Sequence, residues 1–123
     1  DEEACHVEVP YKWLNKNPFK STFWAVLGMA AEMSSGALVL LYTYNQTPSI
    51  SMLVSKTEGV FLKKATGKTT FICKDGEKVK NAIIKTIQTG EGVAFETNMT
   101  GYNTNNEEIA QFKFTWAVKK RST

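Results

Sequence analysis

Histidine and cysteine, the side chains that most often carry metal or nucleophilic chemistry, are scarce in this chain: 123 residues hold one His and two Cys. His6 has no second histidine to join it. Cys5 and Cys73 stand far apart, in neither a Cys-x-x-Cys nor a Cys/His ligand spacing, so the pattern offers no metal site. Two isolated thiols fit a reduced, cytoplasmic protein better than a disulfide framework. A large excess of either charge is lacking as well: 15 basic against 12 acidic residues leave a net +3, too small for a dedicated nucleic-acid surface. The start, Asp1-Glu2-Glu3-Ala4-Cys5, has neither a basic nor an apolar leader region. The chain opens on Asp rather than Met and enters a strand pattern almost at once, so an upstream segment is expected to be missing. Apolar content of 42% and charged content of 22% are ordinary for a soluble globular protein, and the length suits one domain over 1–123.

The most informative shortage is local. Between Lys20 and Lys56 the only charged residue is Glu32. It interrupts an apolar run from Phe23 to Tyr42 that is about as long as a spanning helix, roughly 20 residues. Glu32 at its midpoint, the Ser34-Ser35 pair and the lack of a flanking basic cluster argue against a membrane span. A central helix, covered on most sides because it is apolar nearly all round, is the better reading. Ser21 or Thr22 can cap it, and Asn45-Gln46-Thr47-Pro48 ends it. A carboxylate removed from water there needs a partner, a wet cleft or a chemical use.

The remainder is strand-like. Cys5, Val7, Val9, Tyr11 and Trp13 alternate with polar residues, which predicts a half-buried strand with Pro10 at an edge or bulge. Ser49 to Leu62 predicts one long or bent strand, followed by Thr69 to Lys74, Gly92 to Tyr102 and Ile109 to Lys119. In the last of these Phe112, Phe114 and Trp116 share one face and form a core stripe rather than a base-stacking platform, having no interleaved Arg. Asp75 can cap a short helix in which Val79, Ala82, Ile83 and Ile87 recur at helical spacing. The fold class is therefore α+β, with one antiparallel sheet of about five strands wrapped around a long hydrophobic helix.

This order of elements, with Asn17 before a nearly uncharged helix and Glu32 about two turns inside it, resembles the hot-dog fold of thioesterases. The resemblance is to the PaaI-like and DUF4442-like branches and covers essentially the whole chain. It departs at the helix start, where Phe23-Trp24-Ala25 replaces a small-residue stretch such as His-Gly-Gly. The resemblance implies a hydrolase acting on an acyl-CoA or related thioester, with coenzyme A as part of the substrate and no separate cofactor. It also implies a homodimer or dimer of dimers with the site between subunits. Carried over residue by residue, the Trp24 backbone amide polarises the thioester carbonyl, Glu32 acts as base or nucleophile, and Asn17 positions. Phe23 and Ala25 flank the substrate, and Lys63 and Lys64 reach toward coenzyme A phosphates. Other readings stand beside this one. Asn17 also suits a plain turn before Pro18, and the lysines also suit solubilising charge at a strand end. A non-catalytic acyl or lipid-like ligand-binding protein, or a dimer in which Glu32 only satisfies a neighbour, would use the same fold.

Overall fold

The computed structural model describes residues 3–10, 12, 24–44 and 49–121. Its elements, in chain order, are β1 (Cys5–Val9), α1 (Trp24–Thr43), β2 (Ile50–Phe61), β3 (Thr69–Cys73), α2 (Gly76–Thr89), β4 (Val93–Tyr102) and β5 (Glu108–Lys120). The strands form one sheet in the order β1-β3-β4-β5-β2, and every neighbouring pair is antiparallel. This is the expected α+β arrangement of five strands and a long helix. The expected extension of the first strand through Tyr11 and Trp13 lies outside the described residues.

Alternation fixes which side of the sheet faces the helices. Along β5, Ala110, Phe112, Phe114, Trp116 and Val118 are buried, and Phe95, Thr97, Met99 and Gly101 of β4 line up beside them. The bend expected in the second strand is a slip in register between Val54 and Lys56 of β2 against β5. A slip there is needed to keep the pattern: it adds one residue, so that Met52 and Gly59 both stay opposite core-facing positions of β5.

The second helix has a structural task that local sequence does not announce. β3 pairs with β4 only as far as Met99, which leaves the lower part of β4 without a strand on that side. α2 runs past it instead. The Asp75 carboxylate accepts the Asn98 backbone N–H at 2.7 Å, and Lys78 Nζ donates to the Glu96 carbonyl at 2.8 Å. Asp75 thus stands at the N-cap position, but its side chain serves β4 rather than capping α2. Here an unpaired sheet edge wins over a helix end because it presents a donor that otherwise has no protein partner. At its other end α2 stops at Gly90, whose positive φ of 74° suits glycine, and the buried Thr86 hydroxyl accepts the Lys120 N–H at 3.0 Å.

Cross-strand pairs of phenylalanine and glycine make room for the core. Phe71, fully buried on β3, lies opposite Gly101 of β4, and a Cβ built on Gly101 would sit 2.7 Å from the ring. The ring fills the space a side chain would take, and its burial leaves it nowhere to retreat. Gly101→Ala is therefore expected to cost about 1–3 kcal/mol. Gly67→Ala, at a site open within 4 Å, should change stability by no more than about 0.5 kcal/mol. Chemical denaturation of the two variants checks the contrast, and equal midpoints would refute it.

Candidate functional site

α1 lies with one face on the sheet and the other uncovered by its own chain. Leu27, Ala30, Ala31, Ser34, Ser35, Leu38 and Val39 are buried. On the opposite side Trp24 is 68% exposed, Met29 63%, Met33 60% and Leu40 57%. The expectation of a helix covered on most sides therefore fails within a single chain, and so does the expectation of a buried Glu32, which is exposed. The sequence misleads here because a helix apolar all round carries no periodic signal of which face its own sheet takes. By length and composition α1 could cross a membrane, but one face packs on the sheet as a core helix does.

Glu32 does not sit at random on the exposed side. It is four residues from Gly28 and four from Gly36, so the three form one row along the helix. A Cβ on Gly28 would meet the Phe112 ring at 3.7 Å, and one on Gly36 would meet the Trp116 indole at 3.5 Å. Glu32 thus stands between the two glycines that face side chains of β5, on that flank of the helix. One turn further on, Trp116 Nε1 donates to Ser35 Oγ at 3.2 Å, and that hydroxyl donates to the Glu32 carbonyl at 3.2 Å. The helix is pinned in rotation at the residue that carries the acid.

The N-terminal end of α1 holds further parts of the site. The first four backbone N–H groups of any helix lack an intrahelical acceptor, and here they include those of Trp24, Ala25 and Val26. Near this end Phe112 makes an edge contact with Phe61 of β2, ring centroids 5.5 Å apart, and its ring lies over Gly59, where a Cβ would sit 2.9 Å from it. Phe61 and Leu62 are each 49% exposed, so the surface there is apolar and open. Lys63 and Lys64 follow immediately. Of the two basic clusters in the sequence, this one belongs to the Phe61–Phe112 end; Lys119, Lys120 and Arg121 lie at the opposite end of β5, beside Ser49. Lys63 is ion-paired with Glu107, and Lys68 reaches Glu8 at 3.6 Å. The Glu107 carboxyl is held below its ordinary range first by its hydrogen bond from Lys63 and then by that from Asn103.

Asn17 and Phe23 lie outside the described residues. The residues that the sequence reading missed are Ser35, Gly59, Phe61 and the helix-facing role of Trp116. Gly28 and Gly36, evenly spaced about Glu32, were the available signal. A cleft of about 520 Å³ where β2, β4 and β5 meet, lined by Leu53, Ala94 and Ala117 among others, contains none of the expected site residues. No group of three or more His, Cys, Asp and Glu able to hold a metal occurs among the described residues.

Solved structures share this arrangement over nearly its whole length. A Pseudomonas aeruginosa protein of unknown function, described as a probable thioesterase, superposes with a TM-score of 0.82 at 18% identity, covering 97% of this chain and 78% of its own. A Chlorobaculum tepidum protein of unknown function gives 0.82 at 19%, covering 98% and 79%. A Haemophilus influenzae thioesterase gives 0.71 at 13%, covering 100% and 76%. The chain has the hot-dog fold. No family model matches the sequence, and no curated protein does.

The hot-dog helix of this chain is anchored by one buried polar contact, which can be tested. Ser35→Ala should leave the Trp116 indole N–H buried without an acceptor and cost about 1–3 kcal/mol. Trp116→Phe in the Ser35→Ala background should add less than it costs alone. A double-mutant cycle by urea denaturation measures the difference, and strict additivity would show that the contact contributes nothing.

Proposed function

We propose that this protein is an acyl-thioester hydrolase, acting on acyl-CoA or a related thioester as a homodimer, with Glu32 as the catalytic carboxylate. The observation that carries the reading is the placement of Glu32. It is the one acid on an otherwise uncharged helix, exposed, beside the contact of Gly28 and Gly36 with β5. The likeness to structures of probable and named thioesterases supports the class of reaction.

The chemistry follows from groups already described. Attack on a thioester carbonyl develops negative charge on oxygen, and free N–H groups at a helix start, with the helix dipole behind them, stabilise it. The Trp24 amide is the donor proposed for this. Glu32 removes a proton from the attacking water, or attacks the carbonyl carbon itself, and the coenzyme A thiolate leaves. Asn17 is proposed to position the substrate, Phe23 and Ala25 to flank it, and Lys63 and Lys64 to attract its phosphates.

Helix geometry adds a condition. Trp24 and Glu32 are eight residues apart, which is about 12 Å along the axis. Reacting groups must lie about 3 Å from the atoms they serve, so one carbonyl cannot meet both on the same helix. The amide of one copy must work with the carboxylate of another. β2 provides the means: it is the sheet edge beside β5, the strand that Gly28 and Gly36 face, twelve residues long, and a second copy paired along it would bring a second helix alongside the first. The exposed Met29, Met33 and Leu40 face would then be covered. An acyl-CoA substrate and two thiols are in keeping with a cytoplasmic setting.

Trp24 favours a second reading at one point. A large indole at the helix start, where the thioesterase resemblance implies small residues, suits a tunnel that holds an acyl ligand without cleaving it. Release of free thiol from a panel of acyl-CoA substrates separates the two. Glu32→Gln should lower kcat at least about 100-fold while sedimentation still shows a dimer. Met33→Lys should reduce assembly and activity together. Retention of an acyl ligand by the unmodified protein without thiol release would establish the binding reading, and an unchanged rate in Glu32→Gln would remove the acid from the mechanism.

A further inference from the structure

The two cysteines that the sequence keeps apart are brought together by the sheet. β1 is the edge strand opposite β2, and it pairs with β3 in a register that sets Cys5 directly across from Cys73. Residues directly opposite in an antiparallel pair point to the same face. Their Cα atoms are about 4.5 or about 5.5 Å apart, depending on the hydrogen-bonding of the pair. Either spacing lies within the range that a disulfide spans. Both thiols are free. They differ in access: Cys5 is half-buried at the sheet edge, whereas Cys73 is completely buried behind it.

We propose that Cys5 and Cys73 form a reactive dithiol, a modification site at which low-molecular-weight disulfides of the glutathione class oxidise the protein to a cross-strand disulfide. The accessible Cys5 thiolate attacks one sulfur of the small disulfide, forming a mixed disulfide and releasing one thiolate. Cys73, as thiolate, then attacks the Cys5 sulfur, closing the Cys5–Cys73 bond and releasing the second small thiol. The protein loses two protons and two electrons, and one small disulfide becomes two thiols. Burial pushes the Cys73 thiol up to about 11, so Cys73 suits the second, intramolecular step, where proximity replaces reactivity, and not the first.

Closure would join three elements rather than two. Beside Cys5, the Glu3 carbonyl accepts the Gly76 N–H at the start of α2, at 3.0 Å. Cys73 is three residues before Gly76 on the other side. The bond would therefore clamp β1, β3 and the entry to α2 together at the end of the sheet farthest from the β2 edge, leaving that edge free.

The test uses the full chain incubated with oxidised glutathione, then alkylated and measured by intact mass and peptide mapping. The expected product is lighter than the dithiol by two hydrogens, with Cys5 and Cys73 peptides linked, and melts at least about 5 °C higher than the reduced form. Cys73→Ser should halt at a glutathione adduct on Cys5. Should that variant fail to fold, Cys5→Ser serves instead, and its buried Cys73 should take up no adduct. Wild-type protein that accumulates the adduct without closing, links only between chains, or does not react at all would overturn the proposal.

Discussion

The seating of α1 on β5 is the constraint on which the rest of this structure depends. Gly28 faces the Phe112 ring and Gly36 the Trp116 indole, at distances of ordinary van der Waals contact for a Cβ, and the Trp116–Ser35 hydrogen bond closes the contact at a polar atom. A helix held at that hydrogen bond cannot slide or rotate without leaving an indole N–H unpaired in the core. Its direction and phase are both set. Glu32 lies midway between the glycines, so its position at the flank of the helix is a consequence of the packing and not of anything local to the acid.

The same contact explains why so much apolar surface is left over. A helix touches a single sheet along one stripe, and α1 is apolar on every side. The stripe takes Leu27, Ala31, Leu38 and their neighbours; Met29, Met33 and Leu40 are left facing out. A sequence states that a residue is apolar but not whose atoms will cover it. That is why the strands and both helices were legible in the sequence while the exposure of Glu32 was not. The β5 alternation has a single interpretation, since one face meets the helices and the other is polar. The Asp75 side chain was misassigned for a related reason, because its true partner, the Asn98 N–H, is supplied by a strand more than twenty residues later. The facing of Cys5 and Cys73 arises from strand order alone, and no spacing in the sequence encodes it.

The two edges of the sheet are handled differently, and the difference separates two kinds of chemistry. β1 is short, five residues, with exposed His6 and Glu8 turned outward, features that discourage further strand addition. β2 is long, and its exposed residues include Leu53, Val60 and Phe61. Charged residues appear on it only as Lys56 and Glu58, which pair with each other at 2.9 Å. An edge of that length without proline or a net charge has little to deter another strand. The edge bearing the thiols is thus the one least suited to assembly, and the edge suited to assembly is the one beside the acid.

For the proposed hydrolase, assembly and catalysis become one question. The rise of a helix separates the Trp24 amide from Glu32 by more than a carbonyl group can bridge, so a single chain holds both halves of the machinery but cannot bring them to one substrate. A two-fold dimer does so twice, because each helix start then meets the partner's acid and each acid the partner's helix start. The same symmetry makes the Trp24 indole important. Exposed at 68% in the single chain, it would stand at both sites of the dimer, next to the amide through which the thioester must be held. Whether that ring lines the tunnel or closes it decides between turnover and retention, and it does so without altering the fold, the acid or the interface.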